Sequence, residues 1–213
     1  MTIEEKVAQT YHFYGLTFEQ AEKEYGATSF GAMTLNREPK VTRPSVDVQQ
    51  RNDLQSKVMA SSRLGIPVMF SNEGLHGGGK GATVFPELVT VGSTWNTTLA
   101  RAIGEVVALA GRSTGADVLF APVINLFTDP RYGRLQEAFS ENPTLTAHLG
   151  AAYTGGLQGD NGGGAGTYLD QQHVAALGKH FAGERAARCA LERGGARGGR
   201  ALRALPRHAS SDR

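Results

Sequence analysis

Only one cysteine, Cys189, occurs in the 213 residues, which excludes an internal disulfide framework and a cysteine-based zinc site. No apolar run approaches the roughly 20 residues that a membrane-spanning helix needs; Val118–Val123 is among the longest. The opening Met1-Thr-Ile-Glu-Glu-Lys carries acids early and no apolar stretch behind a basic segment, so no secretory leader is expected in it. Nothing else in the sequence addresses the compartment. His12, His148, His173 and His208 lack metal-ligand spacing, so neither a metal nor a cofactor is expected. Trp95 is the sole tryptophan. Its flat ring could serve as a stacking platform, but it precedes a helix cap, and packing against that helix is the expected role.

What is present is an ordinary globular mixture, 40% apolar and 20% charged, with 28 glycines that imply many loops. The formal charge of +2 is misleading. Residues 184–213 hold eight arginines, no lysine and three acids, which leaves 14 basic against 17 acidic residues in 1–183. The basic balance belongs to the tail, and the body gives no reason to expect a nucleic-acid partner.

Along residues 1–183 the pattern is that of one domain. Residues 1–26 read as two short polar helices, the first opened by the capping-box pair Thr2 and Glu5. A short strand is expected at Phe30–Leu35. A helix is expected at Arg43–Leu64, ended by Gly65. Pro67-Val-Met-Phe reads as a strand. Asn96 should cap a helix with Leu99, Ala102, Ile103, Val106, Val107 and Ala110 on its buried face. Val118–Leu126 reads as a strand apolar on both faces, Asn142-Pro143 as the start of a helix running to Gly159, and His173–Phe181 as a further strand. Apolar strands alternating with amphipathic helices imply an α/β fold with a parallel sheet covered by helices. An open doubly wound sheet and a (β/α)8 barrel both fit; length favours the open sheet, since a full barrel takes about 250 residues. From Glu184 the chain becomes Arg/Gly/Ala-rich, without strand or helix signals, and reads as a disordered or out-of-frame tail (184–213).

Polar groups gather at the carboxyl ends of the expected strands: Glu73, then Asp129, Arg131 and Arg134, then Lys179 and His180. In parallel α/β folds ligands bind at that edge. The groups suit a polyol, because carboxylates accept from vicinal hydroxyls while Lys, Arg and His donate to the remaining oxygens. None forms a Ser-His or Cys-His nucleophile pair. Gly74-Leu-His-Gly-Gly-Gly-Lys80 matches a phosphate-loop pattern, but Gly81 stands where a Mg²⁺-binding hydroxyl belongs and Pro86 follows instead of a helix, so nucleotide binding is not expected.

Several stretches then resemble glycoside hydrolase family 3, in its β-glucosidase/β-xylosidase branch. They are Leu64-Gly-Ile-Pro-Val-Met-Phe-Ser-Asn-Glu-Gly-Leu-His-Gly, Ala82-Thr-Val-Phe-Pro with Ser93-Thr-Trp-Asn, and Phe120-Ala-Pro-Val. Further on stand Asp129-Pro-Arg-Tyr-Gly-Arg-Leu-Gln-Glu-Ala-Phe-Ser-Glu-Asn-Pro, Gly155-Gly-Leu-Gln-Gly and Gly178-Lys-His-Phe-Ala-Gly. Tyr132 replaces a usual Trp and Asn96 a common Asp, both mild changes. Lys179-His-Phe-Ala-Gly-Glu-Arg departs from the segment of the N-acetylhexosaminidase branch. The resemblance implies a (β/α)8 TIM-barrel type fold, incomplete here and amounting to roughly its first half, which replaces the open-sheet expectation. It implies retaining, exo-acting hydrolysis of β-glucosides or β-xylosides. It also implies that Glu73, Arg134, Lys179 and His180 hold the terminal sugar of an oligosaccharide or β-glycoside. The family's nucleophile lies on a later strand and its acid/base in a following domain, so no catalytic residue is expected within these residues.

The chain alone is therefore expected to bind sugar at most, and an open barrel edge is expected to favour self-association. Two alternatives are a non-catalytic carbohydrate-binding fragment and RNA binding through the Arg/Gly tail. RNA binding through the tail would fall steeply with salt and vanish on deletion of residues 184–213. The expected outcome in a filter-binding titration is no such salt-dependent retention.

Overall fold

The structure, a computed structural model, describes residues 1–25, 30–35, 44–79, 81–129, 133–159 and 168–181. The expected tail, Lys80, Arg131, Tyr132 and the glycine loop 162–166 lie outside the described residues.

Local chemistry sets most helix boundaries. In α1 (Ile3–Ala8), Glu5 N donates to Thr2 Oγ1 (3.2 Å) and Thr2 N donates to Glu5 Oε2 (2.7 Å), the reciprocal capping box. Strand β1 (His12–Leu16) follows, then α2 (Phe18–Tyr25), β2 (Ala32–Leu35) and α3 (Pro44–Ser61). After α3, Gly65 has φ +59°, the left-handed conformation that glycine adopts without penalty. The Gln55 side chain of α3 then grips Val68 at both its N–H (2.7 Å) and its carbonyl (3.0 Å), which fixes where the next strand begins. That strand is β3 (Met69–Glu73), followed by α4 (Leu88–Ser93), α5 (Thr97–Ser113), β4 (Val118–Phe120), α6 (Pro143–Gln158) and β5 (Ala175–Ala176). Asn96 and Asn142 accept from Leu99 N and Leu145 N, each at 3.0 Å, and cap α5 and α6 as their positions require.

The five strands are all parallel and lie in the order β1-β2-β3-β4-β5. A doubly wound sheet reverses its order at a switch point, whereas sequential order throughout is barrel order. The sheet also curls. The His12 ring on β1 lies 5.5 Å from the Phe120 ring on β4, although three strand spacings would separate those strands by about 14 Å in a flat sheet. On the concave face, His12 Nε2 meets Thr34 Oγ1 (2.9 Å) and Ser71 Oγ (3.1 Å), and the two hydroxyls meet at 2.6 Å. This polar ladder joins β1, β2 and β3 at one level. Met69 and Tyr14 share that face by alternation and are exposed, so the barrel interior is uncovered among the described residues. The convex face is covered: Met33 and Phe70 pack with Leu54 and Val58 of α3, and Leu119 packs under α5 and α6.

Several expectations need correction. Residues 12–16 form β1, where only helices were expected. The β3 strand begins at Met69, two residues after the expected start, which makes Glu73 its last residue. β4 stops at Phe120, because Pro122 has no N–H to continue the ladder; pairing resumes only as a bridge between Val123 and Lys179. The buried face of α5 is Ala100, Ile103, Gly104, Val107, Ala108 and Gly111, while Leu99 and Val106 are exposed. The small residues win this face because α6 approaches so closely. A Cβ on Gly156 would stand 2.2 Å from Arg101 O, and one on Gly104 2.5 Å from Tyr153 O. Trp95 is 72% exposed, so it does not pack on the helix that it precedes.

Gly156→Ala must push α5 and α6 apart. It should destabilise the chain by about 2–3 kcal/mol in chemical denaturation, with Leu109→Ala, on the exposed side of α5, within about 0.5 kcal/mol of the parent.

Candidate functional site

Three elements deliver charged groups to the carboxyl edge of the sheet. Glu73 ends β3 and, by alternation with buried Phe70 and Asn72, points to the concave face. The backbone behind it is pinned. A Cβ on Gly74 would touch Leu119 Cβ at 2.8 Å, and the Tyr153 hydroxyl of α6 is directed between the carbonyls of Gly74 (2.8 Å) and Leu75 (3.0 Å). Tyr153 is fully buried, and burial pushes its phenol well above the usual range, so it is fixed as a donor.

Lys179 is placed by the bridge to Val123: its N–H donates to Pro122 O (3.0 Å) and its carbonyl accepts from Ile124 N (2.9 Å). Its ammonium reaches across β4 and donates to Glu73 Oε2 at 2.5 Å. The Lys179 side chain is only 12% exposed, whereas Glu73 is half exposed. The ammonium is thus held inside, and one edge of the carboxylate faces solvent. His180 follows across a cis peptide bond; its N–H donates to Asn125 Oδ1 (2.8 Å), and its Nδ1 lies 3.2 Å from the same oxygen.

The third contribution comes from the loop after β4. Arg134 grips Glu137, at the end of a 3-10 helix (Leu135–Glu137), in a two-pronged bond: Nε to Oε1 at 2.6 Å and Nη2 to Oε2 at 2.5 Å. Hydrogen bonding from Arg134 holds the Glu137 carboxyl below its ordinary value against the opposing effect of burial, and the charges of Arg134, Lys179 and His180 pull the same way. Glu137 therefore belongs to the same electrostatic cluster as Lys179 and His180. Sequence reasoning placed Glu137 in a matching motif but assigned it no binding role; its i, i+3 spacing from Arg134 was the available clue. Of the four expected site residues, Glu73 and Lys179 touch, Arg134 binds Glu137, and the charges of Lys179 and His180 act on that same carboxylate. Asp129 lies in the same loop, and Arg131 lies outside the described residues.

The phosphate-loop lookalike behaves differently from a nucleotide cradle. Phe85 N donates back to His76 O (2.7 Å), and no helix begins until Leu88. Among the described residues no cluster of three or more His, Cys, Asp or Glu could hold a metal ion, and no helix is long and apolar enough to cross a membrane.

Sequential parallel strands with charged side chains gathered at their carboxyl rim define a partial (β/α)8 barrel. The chain belongs to glycosyl hydrolase family 3: the N-terminal domain of that family matches residues 2–196. Beta-D-xylosidase 3 of Arabidopsis thaliana is 37% identical over 146 residues, covering 60% of this chain and 18% of that protein. The periplasmic beta-glucosidase of Salmonella typhimurium is 33% identical over 138 residues, covering 65% of this chain and 17% of that protein. Among solved structures, an exo-1,3/1,4-beta-glucanase from a Pseudoalteromonas species superposes with a TM-score of 0.75 at 32% identity, over 86% of this chain and 23% of that one. A mutant beta-glucosidase from Listeria innocua in complex with laminaribiose gives 0.67 at 29% identity, over 85% and 25%. The chain spans about a quarter of the length of such relatives.

Because Arg134 holds the Glu137 carboxyl low, the interaction stabilises the fold above the unfolded glutamate value and fades as pH falls through the depressed folded value. Arg134→Met should therefore move the Glu137 titration upward. An NMR titration of the side-chain carboxyls checks this, and an unmoved Glu137 would break the electrostatic picture of the rim.

Proposed function

We propose that this chain carries the glycone-binding rim of a retaining exo-β-glycosidase acting on β-glucosides or β-xylosides, and that by itself it binds the sugar without cleaving the bond. The observation that carries the reading is the contact of Glu73, at the end of β3, with Lys179, just beyond β5, beside the Arg134–Glu137 pair whose carboxylate feels the charges of Lys179 and His180. Such a rim offers carboxylate oxygens to vicinal hydroxyls and ammonium, guanidinium and imidazole donors to the remaining oxygens.

Both ion pairs are internally balanced, so a neutral ring enters without unmatched charge. The same balance argues against cleavage here. A retaining glycosidase needs two carboxyl groups about 5–5.5 Å apart, one a nucleophile and the other an acid/base. Glu73 and Glu137 are each committed to a cation, which suits them to holding hydroxyls. The family resemblance places the nucleophile and the acid/base in stretches that have no match in these residues. Hydrolysis would then require the remaining strands and a further domain.

The test is binding and turnover together. Glucose or xylose should bind in the millimolar range by NMR titration. Glu73→Gln or Lys179→Ala should weaken that binding about tenfold, as expected for losing a hydrogen bond to a charged group. No turnover of an aryl β-glucoside or β-xyloside should be measurable. Clear turnover would overturn the non-cleaving part, and sugar affinity indifferent to both substitutions would overturn the rim.

A further inference from the structure

Trp95 combines two unfavourable features. Its indole is 72% exposed, and its backbone has φ +55°, the left-handed region that L side chains rarely adopt. The conformation is imposed from both sides. Trp95 N donates to Gly92 O (3.1 Å), Thr94 Oγ1 donates to Val91 O (2.6 Å), Asn96 N donates to Thr94 Oγ1 (3.2 Å), and Asn96 Oδ1 caps α5. A strained backbone so over-determined, holding a large aromatic ring in water, is an outlier of the kind found at ligand clamps.

Its place and surroundings indicate which ligand. The carboxyl end of α5 leads into β4 at the amino edge of the sheet, so its amino end, beside Trp95, lies on the side of the rim. α4 packs against the 3-10 helix that carries Glu137, and Gly92 sits so close to Phe139 that a Cβ would stand 1.9 Å from its carbonyl oxygen. On either side of Trp95 in the chain, Ser93, Thr94, Asn96, Thr97 and Thr98 are all exposed. The chain carries no charged side chain between Glu87 and Arg101. An exposed aromatic face in a stretch that supplies hydroxyls and an amide but no charge fits the alternating C–H and O–H faces of a neutral sugar chain. A polyanion would want cations here.

We propose that Trp95 is an outer platform on which a β-linked oligosaccharide or polysaccharide chain stacks, separate from the rim that holds the terminal sugar. The proposal rests on the glycoside-binding reading above and adds a second contact on the same side of the molecule.

As the sole tryptophan, Trp95 reports on itself. Titration of the full chain with xylohexaose and with laminarihexaose should give a saturable blue shift of its emission with at least one of them. Trp95→Ala should weaken affinity for that hexasaccharide about fivefold, the scale of one aromatic contact, and leave glucose or xylose binding unchanged. Trp95→Phe should restore part of the loss. Glu73→Gln should weaken the monosaccharide and leave the indole response in place, so failure of the rim and failure of the platform are told apart. Emission that stays at its solvent-exposed maximum with saturating hexasaccharide overturns the proposal. So does emission that is blue-shifted without sugar and moves red on dilution, which would mean that a second copy covers the ring.

Discussion

A lysine side chain left only 12% exposed is best placed with a counter-charge in reach, and Lys179 finds Glu73. The rest of the rim follows from that requirement. Glu73 ends β3, whereas Lys179 lies three residues beyond β5, in the extended stretch that bridges to Val123; two strand spacings alone would put such positions roughly 10 Å apart. The contact can form only if β3, β4 and β5 are parallel, adjacent and in register, so that both long side chains leave the same face at the same height. The Val123–Lys179 bridge supplies that register where Pro122 has interrupted the ladder. Tyr153 and Leu119 hold the turn behind Glu73, so the α6 helix on the convex side also fixes a carboxylate on the concave one.

The curl of the sheet is a second consequence of side-chain chemistry. His12, Thr34 and Ser71 satisfy one another on the concave face, and burial holds the His12 imidazole below its ordinary value. A neutral ring can accept from one hydroxyl while touching Phe120 across the hollow. This ladder lies below Glu73 on the same face of β3, with Ser71 two residues before it. The convex face carries its own buried polar group: Arg51 of α3 donates to Asn72 Oδ1 (3.0 Å) and stacks over Phe70, 5.1 Å from the ring centre. Alternate residues of a single five-residue strand thus serve a helix on one side and the charged rim on the other.

How much of this was legible depended on the range of the interaction. Caps need only residues three apart, and Thr2–Glu5, Asn96, Asn142-Pro143 and Gly65 could all be read directly from the sequence. The gathering of Glu73, Arg134, Lys179 and His180 at strand ends was visible too, since the alternation of elements assigns each to one edge. What escaped was set by partners distant in sequence. β1 is a five-residue strand with a glycine in it, and its aromatic content was the only hint that it was not helical. The exposed stripe of Leu99 and Val106 has perfect helical spacing, yet Gly104 defines the contact because Gly156 lets α6 come within backbone distance. Periodicity reports where apolar side chains lie and says nothing of where backbones touch. Glu137 was missed as a site member for a related reason: its significance comes from Lys179 and His180, more than 40 positions later.

The pairing of charges at the rim also constrains what it can accept. Glu73 with Lys179, and Glu137 with Arg134, sum to no net charge, and each partner already fills its strongest electrostatic demand. A charged ring, such as a uronate or a sugar phosphate, would have to draw a cation away from its carboxylate and leave that carboxylate partly buried and unmatched, which costs more than a surface charge pair returns. A neutral hydroxyl asks for less. It can accept from a donor proton that the carboxylate leaves unused and donate to a lone pair that the cation does not occupy, so both ion pairs survive its arrival. Glu73, half exposed while Lys179 is enclosed, presents its carboxylate in this way: anchored at one oxygen and open to hydroxyls along its exposed edge.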